Sequence, residues 1–159
     1  MKKFAVLLAV AVSAVGATGA FGSSKSVVST AHTSLGTVLV NSKGLTLYLF
    51  EGDTSKHLGC NGKCLKTWFP VTGTGTASGA AKASELGTVK RGSGTQVTYA
   101  GHPLYTFVGD TKPGQLTGQA LKLNGNLWYV VSPSGSAMTA SSKSSPSSSG
   151  SGGSTPAGW

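Results

Sequence analysis

Acidic side chains are scarce in this chain. Glu51, Asp53, Glu85 and Asp110 are the four acids among 159 residues, against thirteen lysines and arginines and a formal net charge of +9. Acid–base catalysis or cation binding by carboxylates therefore has few groups to draw on. There are two cysteines, too few for a cysteine-rich metal site without other ligands. No run approaches the roughly 20 strongly apolar residues that a membrane-spanning helix needs, and no block of five or more like charges marks a polyanion-binding tail. A G-x-S-x-G elbow and a metalloprotease helix are both missing. The three histidines, His32, His57 and His102, stand in unrelated contexts. The glycines of "TGTGTASG" do not follow a strand in the phosphate-binding pattern and read as loop.

The ends of the chain are low in complexity. Lys2 and Lys3 precede an apolar run from Phe4 to Val12 and small residues at Ala17–Ala20, the pattern of a secretory signal peptide over residues 1–20. No cysteine lies near the expected cleavage site, so a free secreted product, extracellular or periplasmic, is expected rather than a lipid-anchored one. Without Lys2 and Lys3 the chain carries eleven basic and four acidic side chains, a net +7 that attracts anionic polymers such as wall polymers. The lysines are scattered along the chain, and no specific nucleic-acid motif is present. Residues 21–33 read as a linker, and 133–159, rich in Ser and Gly, as a disordered tail. A single folded unit is left at 34–132, an ordinary size for one core.

Within that unit a phrase recurs. Leu47-Tyr-Leu-Phe-Glu-Gly-Asp-Thr54 matches Leu104-Tyr-Thr-Phe-Val-Gly-Asp-Thr111. "LGTV" at Leu35–Val38 and Leu86–Val89 supplies an apparent start for each copy, and Trp68-Phe69 and Trp128-Tyr129 an end. The copies are therefore expected at about 35–71 and 86–131, the second six residues longer ahead of its phrase, with the extra length at "RGSGT".

Nearly every segment reads as a short strand bounded by Gly, Asn, Asp or Pro: "TVLVN", "LTLYLF", "TQVTYA", "PLYTFV", "QALKL" and "LWYVV". Only Gly79–Leu86 suits a helical turn. "LTLYLF" is apolar on both faces apart from Thr46, which predicts a central strand covered on both sides. The fold class expected is all-β, one small sandwich or barrel built from two related halves.

In an extended strand Tyr48 and Phe50 share one face, as do Tyr105 and Phe107, with Leu47 and Leu104 on the other. Asp53 and Asp110 open the following turns. Each can accept hydrogen bonds from backbone N–H groups one or two residues on, or from the tyrosine hydroxyl of its own or the other copy. This structural role is the leading reading. The sharper one is a shared site in which symmetry joins both carboxylates and both phenols, making Asp53 and Asp110 candidate ligands for a divalent cation. No cofactor is expected. Cys60 and Cys64 flank an Asn-Gly-Lys turn and read as a small disulfide ring holding local shape. Leu65, where haem attachment needs histidine, excludes that chemistry.

The tandem "YLFEGD" and "YTFVGD" phrases, with "CNGKCLKTWFP" and "GTQVTYAGHPLYTF", resemble a bacterial secreted-repeat, lipoprotein-like family defined by a Tyr-x-aromatic-x-x-Asp motif. Phe69 departs from the family pattern, in which Trp tends to precede Pro directly, and the lipobox cysteine is missing. The resemblance implies an envelope or extracellular protein and brings no catalytic residues with it. The expectation from sequence is a secreted, non-enzymatic β-domain that acts as a binding or structural module. Divalent-cation binding by the two aspartates is the alternative, and binding to a cell-wall or other anionic polymer is a weaker one.

Overall fold

The computed structural model describes residues 25–54, 56–123 and 125–139. The expected signal peptide, the first residues of the expected linker and the expected tail from residue 140 onward lie outside them. The described chain is all-β, with two short 3₁₀ turns at Gly62–Lys66 and Ala83–Glu85. None of its helices is long and apolar enough to cross a membrane.

The strands follow in order as β1 (Lys25–Thr33), β2 (Gly36–Asn41), β3 (Tyr48–Phe50), β4 (Trp68–Pro70), β5 (Thr74–Ala77), β6 (Leu86–Arg91), β7 (Gly94–Tyr99), β8 (His102–Pro103), β9 (Tyr105–Phe107), β10 (Lys122–Leu123) and β11 (Asn126–Val130). They form three curled sheets, ordered β2-β1-β5, β10-β11-β3-β9-β4 and β6-β7-β8, which together make a half-barrel. Backbone hydrogen bonds lace the hairpins to the central sheet. Leu39 donates to Val131 and Leu47 to Leu39 in one half, as Val97 donates to Val71 and Leu104 to Val97 in the other.

The period-2 alternation of the repeated phrase decides how the central sheet is covered. Tyr48, Phe50, Tyr105, Trp68 and Trp128 lie in one core cluster, while Leu47, Leu49, Leu104, Val71 and Val131 lie in the other. β3 is thus buried on both faces, as its apolar run predicts. Its single register pair with β9 is Tyr48 opposite Tyr105, and the pseudo-twofold relation between the halves centres on that pair.

Strand register corrects the alignment of the repeats. The hairpin β1–β2 closes with Thr33 opposite Gly36, and β6–β7 with Arg91 opposite Gly94. β1 is therefore the counterpart of β6, and β2 of β7. The first "LGTV" lies across the β1–β2 turn and the second inside β6, so the two tetrapeptides are not equivalent and the hairpins match in length. The six extra residues came from pairing them. Lys25–Thr33, expected as linker, is the antiparallel partner of β2 and the parallel partner of β5. Its Ser- and Thr-rich alternation buries Val28 fully, and pairing on both edges holds it in place.

Three smaller expectations also shift. Part of "TGTGTASG", read as loop, is β5. Within "QALKL" only Lys122–Leu123 forms strand. The first residues assigned to the tail turn back instead: Ala137 bridges to Val131, and Met138 is buried in the aromatic core.

The Gly in each phrase has a steric cause. A Cβ on Gly52 would lie 2.5 Å from Phe50 Cε1, and one on Gly109 would lie 2.5 Å from Phe107 Cε1. Each phenyl ring folds over the glycine two residues on. Gly52→Ala is expected to cost about 1–3 kcal/mol, the scale of overpacking. Gly94→Ala, whose Cβ meets only the Arg91 carbonyl at 4.0 Å, is expected to stay within about 0.5 kcal/mol. Urea unfolding of the two variants checks the difference.

Candidate functional site

The repeated phrase builds two crossed clasps. Tyr105 donates its hydroxyl to Asp53 Oδ2 at 2.5 Å, and Tyr48 donates to Asp110 Oδ2 at 2.5 Å. Each tyrosine reaches the carboxylate of the other copy. The remaining oxygen of each carboxylate gathers the loop that follows it. Asp53 Oδ1 accepts from the N–H groups of Gly59 (2.6 Å) and Cys60 (3.3 Å). Asp110 Oδ1 accepts from Thr117 N (3.0 Å) and Thr117 Oγ1 (2.5 Å). The donors lie six or seven residues on, not the one or two expected from a simple turn, so each aspartate closes a wide loop.

Both phenols are fully buried, and both are pushed well above the ordinary tyrosine pKa. Burial is the main cause, and the hydrogen-bonded, negatively charged aspartate adds to it. The clasps differ in what the phenol oxygen accepts. Gly118 N donates to Tyr48 Oη at 3.2 Å, whereas Arg91 Nη2 donates to Tyr105 Oη at 2.6 Å. Arg91 also donates from Nε to Gln96 Oε1 (2.6 Å) and from Nη1 to the Cys60 carbonyl (2.9 Å). Its charge opposes, without cancelling, the upward shift of Tyr105. Gln96 is fully buried and donates to the Leu104 carbonyl at 2.8 Å. The counterparts of Arg91 and Gln96 in the first half are Thr33 and Val38, so only one clasp carries a cation.

An aromatic column joins the clasps. Trp68 and Trp128 stack with centroids 3.7 Å apart and planes 3° from parallel. Phe107 packs on Trp68 at 4.5 Å and Phe50 on Trp128 at 4.6 Å. Tyr48 meets Trp68 edge-on at 5.3 Å, and Tyr105 meets Trp128 at 5.0 Å. Such edge and stacked contacts add about 0.5–1.5 kcal/mol each beyond area burial. Among the described residues the Trp128 indole N–H has no acceptor, so Trp128 is held by packing and not by a polar tie.

The site residues expected from sequence therefore divide by task. Tyr48, Tyr105, Asp53 and Asp110 form the clasps, and Phe50 and Phe107 the ends of the column. Cys60, at the end of the loop that Asp53 closes, is disulfide-bonded to Cys64. The two carboxylates answer to different phenols and different loops, and among the described residues no group of three or more His, Cys, Asp or Glu could hold a metal ion. Arg91, Gln96, Thr117 and Gly118 went unrecognised. One signal did exist for Arg91, the chain's one arginine beside twelve lysines.

Residues 29–72 and 87–132, together more than half of the chain, match the model of a family described as a secreted repeat of unknown function. The two matched stretches begin at equivalent positions of β1 and β6, in agreement with the strand register. No curated protein and no solved structure matches the chain.

Two predictions follow from the clasps. Tyr48→Phe leaves Asp110 Oδ2 and Gly118 N without their partner and is expected to cost about 1–3 kcal/mol. The second concerns alkali. A phenol whose folded pKa lies above its unfolded value of about 10 keeps its full contribution to stability below that pH. The contribution falls as pH rises beyond it, by about 1.4 kcal/mol per pH unit per tyrosine. Urea unfolding between pH 8 and 12 is expected to show a steeper loss in the wild type than in Tyr48→Phe; equal slopes would contradict the linkage.

Proposed function

The chain belongs to this family of secreted repeats of unknown function, and from that premise we propose that it is a non-enzymatic extracellular module that works through its outer surface. The observation that carries the reading is the occupation of both repeated carboxylates. Each has one oxygen on a buried phenol and the other on loop donors. The motif that defines the repeat is thus a device for holding two halves together, and binding or structural work falls to the loops that it anchors.

Divalent-cation binding at Asp53 or Asp110 would require those donors to be displaced and a buried phenol to lose its acceptor. Nothing in the geometry favours it over the clasp.

A thermal-shift series with Ca²⁺, Mn²⁺, Zn²⁺ and Cu²⁺ on the full secreted chain is expected to show no stabilisation that depends on these residues. A shift abolished in Asp53→Asn or Asp110→Asn would restore the cation reading. Hydrolytic or redox turnover by the pure protein, lost in either variant while its fold persists, would overturn the proposal itself. For stability, Asp53→Ala strands three donors at once and is expected to cost about 3 kcal/mol, above the 1–2 kcal/mol of an exposed cap.

A further inference from the structure

On the face of the central sheet turned away from the clasps, the duplicated framework is filled on one side only. By strand register Asn41, the last residue of β2, is the counterpart of Tyr99, the last of β7, and Ser42 is the counterpart of Ala100. The repeated phrase matches Leu49 with Thr106, and the aromatic pairs match Phe69 with Tyr129. Leu49, Tyr99, Ala100 and Tyr129 all pack in the apolar cluster of that face. The Tyr99 hydroxyl seals their side, accepting from Lys82 N at 2.9 Å and donating to the Pro133 carbonyl at 2.8 Å.

Their counterparts leave a hole. Asn41, Ser42 and Thr106 line a half-open cavity of about 250 Å³, which Thr72 and the apolar Val27, Pro70 and Val71 complete. None of these lining residues is charged. Phe69 stands opposite Thr106 in the β4–β9 register, and such cross-strand partners carry their side chains on one face, about 5 Å apart. Its ring, 44% exposed, therefore borders the cavity, whereas Tyr129 is packed away. Asn41 Oδ1 accepts from Lys43 N at 2.9 Å and Leu45 N at 3.0 Å, which orients the amide and makes Nδ2 its donor end. The same framework closes with side chains on one side, so the cavity comes from these four residues and not from the fold.

We propose that this cavity holds one ring of a neutral glycan, a reading that rests on the surface-module role above and names its ligand class. The site lies on the framework, in addition to the loops that the clasps anchor. A pyranose has two kinds of surface, a face of C–H groups and a rim of hydroxyls that both donate and accept. The Phe69 ring suits the first, since its negative π-face attracts C–H groups. Asn41, Ser42 and Thr106 suit the second, with donors and acceptors and no net charge. A carboxylate, a nucleotide or an ammonium ligand would be desolvated without an opposite charge in the lining. A wholly apolar ligand would leave the amide and the hydroxyls unpartnered. The volume lies below the roughly 300–1,000 Å³ of sites for drug-sized molecules, which limits the guest to a single ring.

The test is titration calorimetry of the full secreted chain with cellohexaose, mannohexaose and chitohexaose, and with hexagalacturonate and a Ser/Gly hexapeptide for comparison. At least one neutral hexasaccharide is expected to bind, more tightly than either comparison ligand and with an affinity that salt leaves unchanged. Phe69→Ala removes the aromatic platform, and Thr106→Leu fills the cavity with the side chain that Leu49 supplies on the other side. Each is expected to weaken binding at least about tenfold, whereas Leu121→Ala, which removes another exposed apolar side chain, is expected to stay within about twofold. Thermal midpoints check the fold of all three, and Thr106→Leu carries the test if Phe69→Ala does not fold. Binding that persists in folded Thr106→Leu would overturn the site. Equal or tighter binding of hexagalacturonate or the peptide would overturn the ligand class. Failure of all three neutral hexasaccharides to bind would sink this inference and leave the surface-module role standing. Cleavage of any of them by the pure protein would overturn the non-enzymatic role on which the inference rests.

Discussion

Everything in this fold depends on a crossing of partners at its centre. Tyr48 and Tyr105 stand opposite one another between β3 and β9, and each delivers its hydroxyl to the aspartate of the other copy. A buried carboxylate is tolerable only when its oxygens are satisfied, so each half supplies what the other half requires. The aromatic column lies between the clasps and excludes water from them. That exclusion strengthens the hydrogen bonds and raises the cost of breaking either one. The polar clasp and the apolar column are in this sense a single construction, and the glycines of the phrase leave room for the phenylalanines that end it.

The symmetry is broken at one point. Arg91 enters the Tyr105–Asp53 clasp where the other half has Thr33, and it joins the second hairpin to the disulfide-ringed loop of the first half through the Cys60 carbonyl. A duplicated framework thus carries one neutral-donor clasp and one cationic clasp. The loop over the cationic clasp has the richer basic surface.

The alternation of Leu, Tyr and Phe made the two-faced central strand legible in sequence, because side-chain direction in an extended chain follows from period alone. The same phrase could not reveal which aspartate each tyrosine meets, since that depends on how two distant strands pair. "LGTV" misled for a related reason: so short an identity can recur by chance, and hairpin register decides equivalence where it does not. β1 was hidden because Ser and Thr alternate with small apolar residues there, and its strand conformation comes from neighbours on both edges. Arg91 was visible as the one arginine among many lysines. The burial that gives it meaning arises only when β6 and β7 fold against the Cys60 loop.

The crossed clasps also set a rule of parity. Since each copy offers a phenol to its sister and takes one in return, the sealed unit is the pair and not the repeat. An isolated copy would keep a buried acid and a buried phenol facing empty positions, and it could close them only by meeting a second molecule of itself. The tandem chain is in this respect a dimer whose two subunits share one backbone.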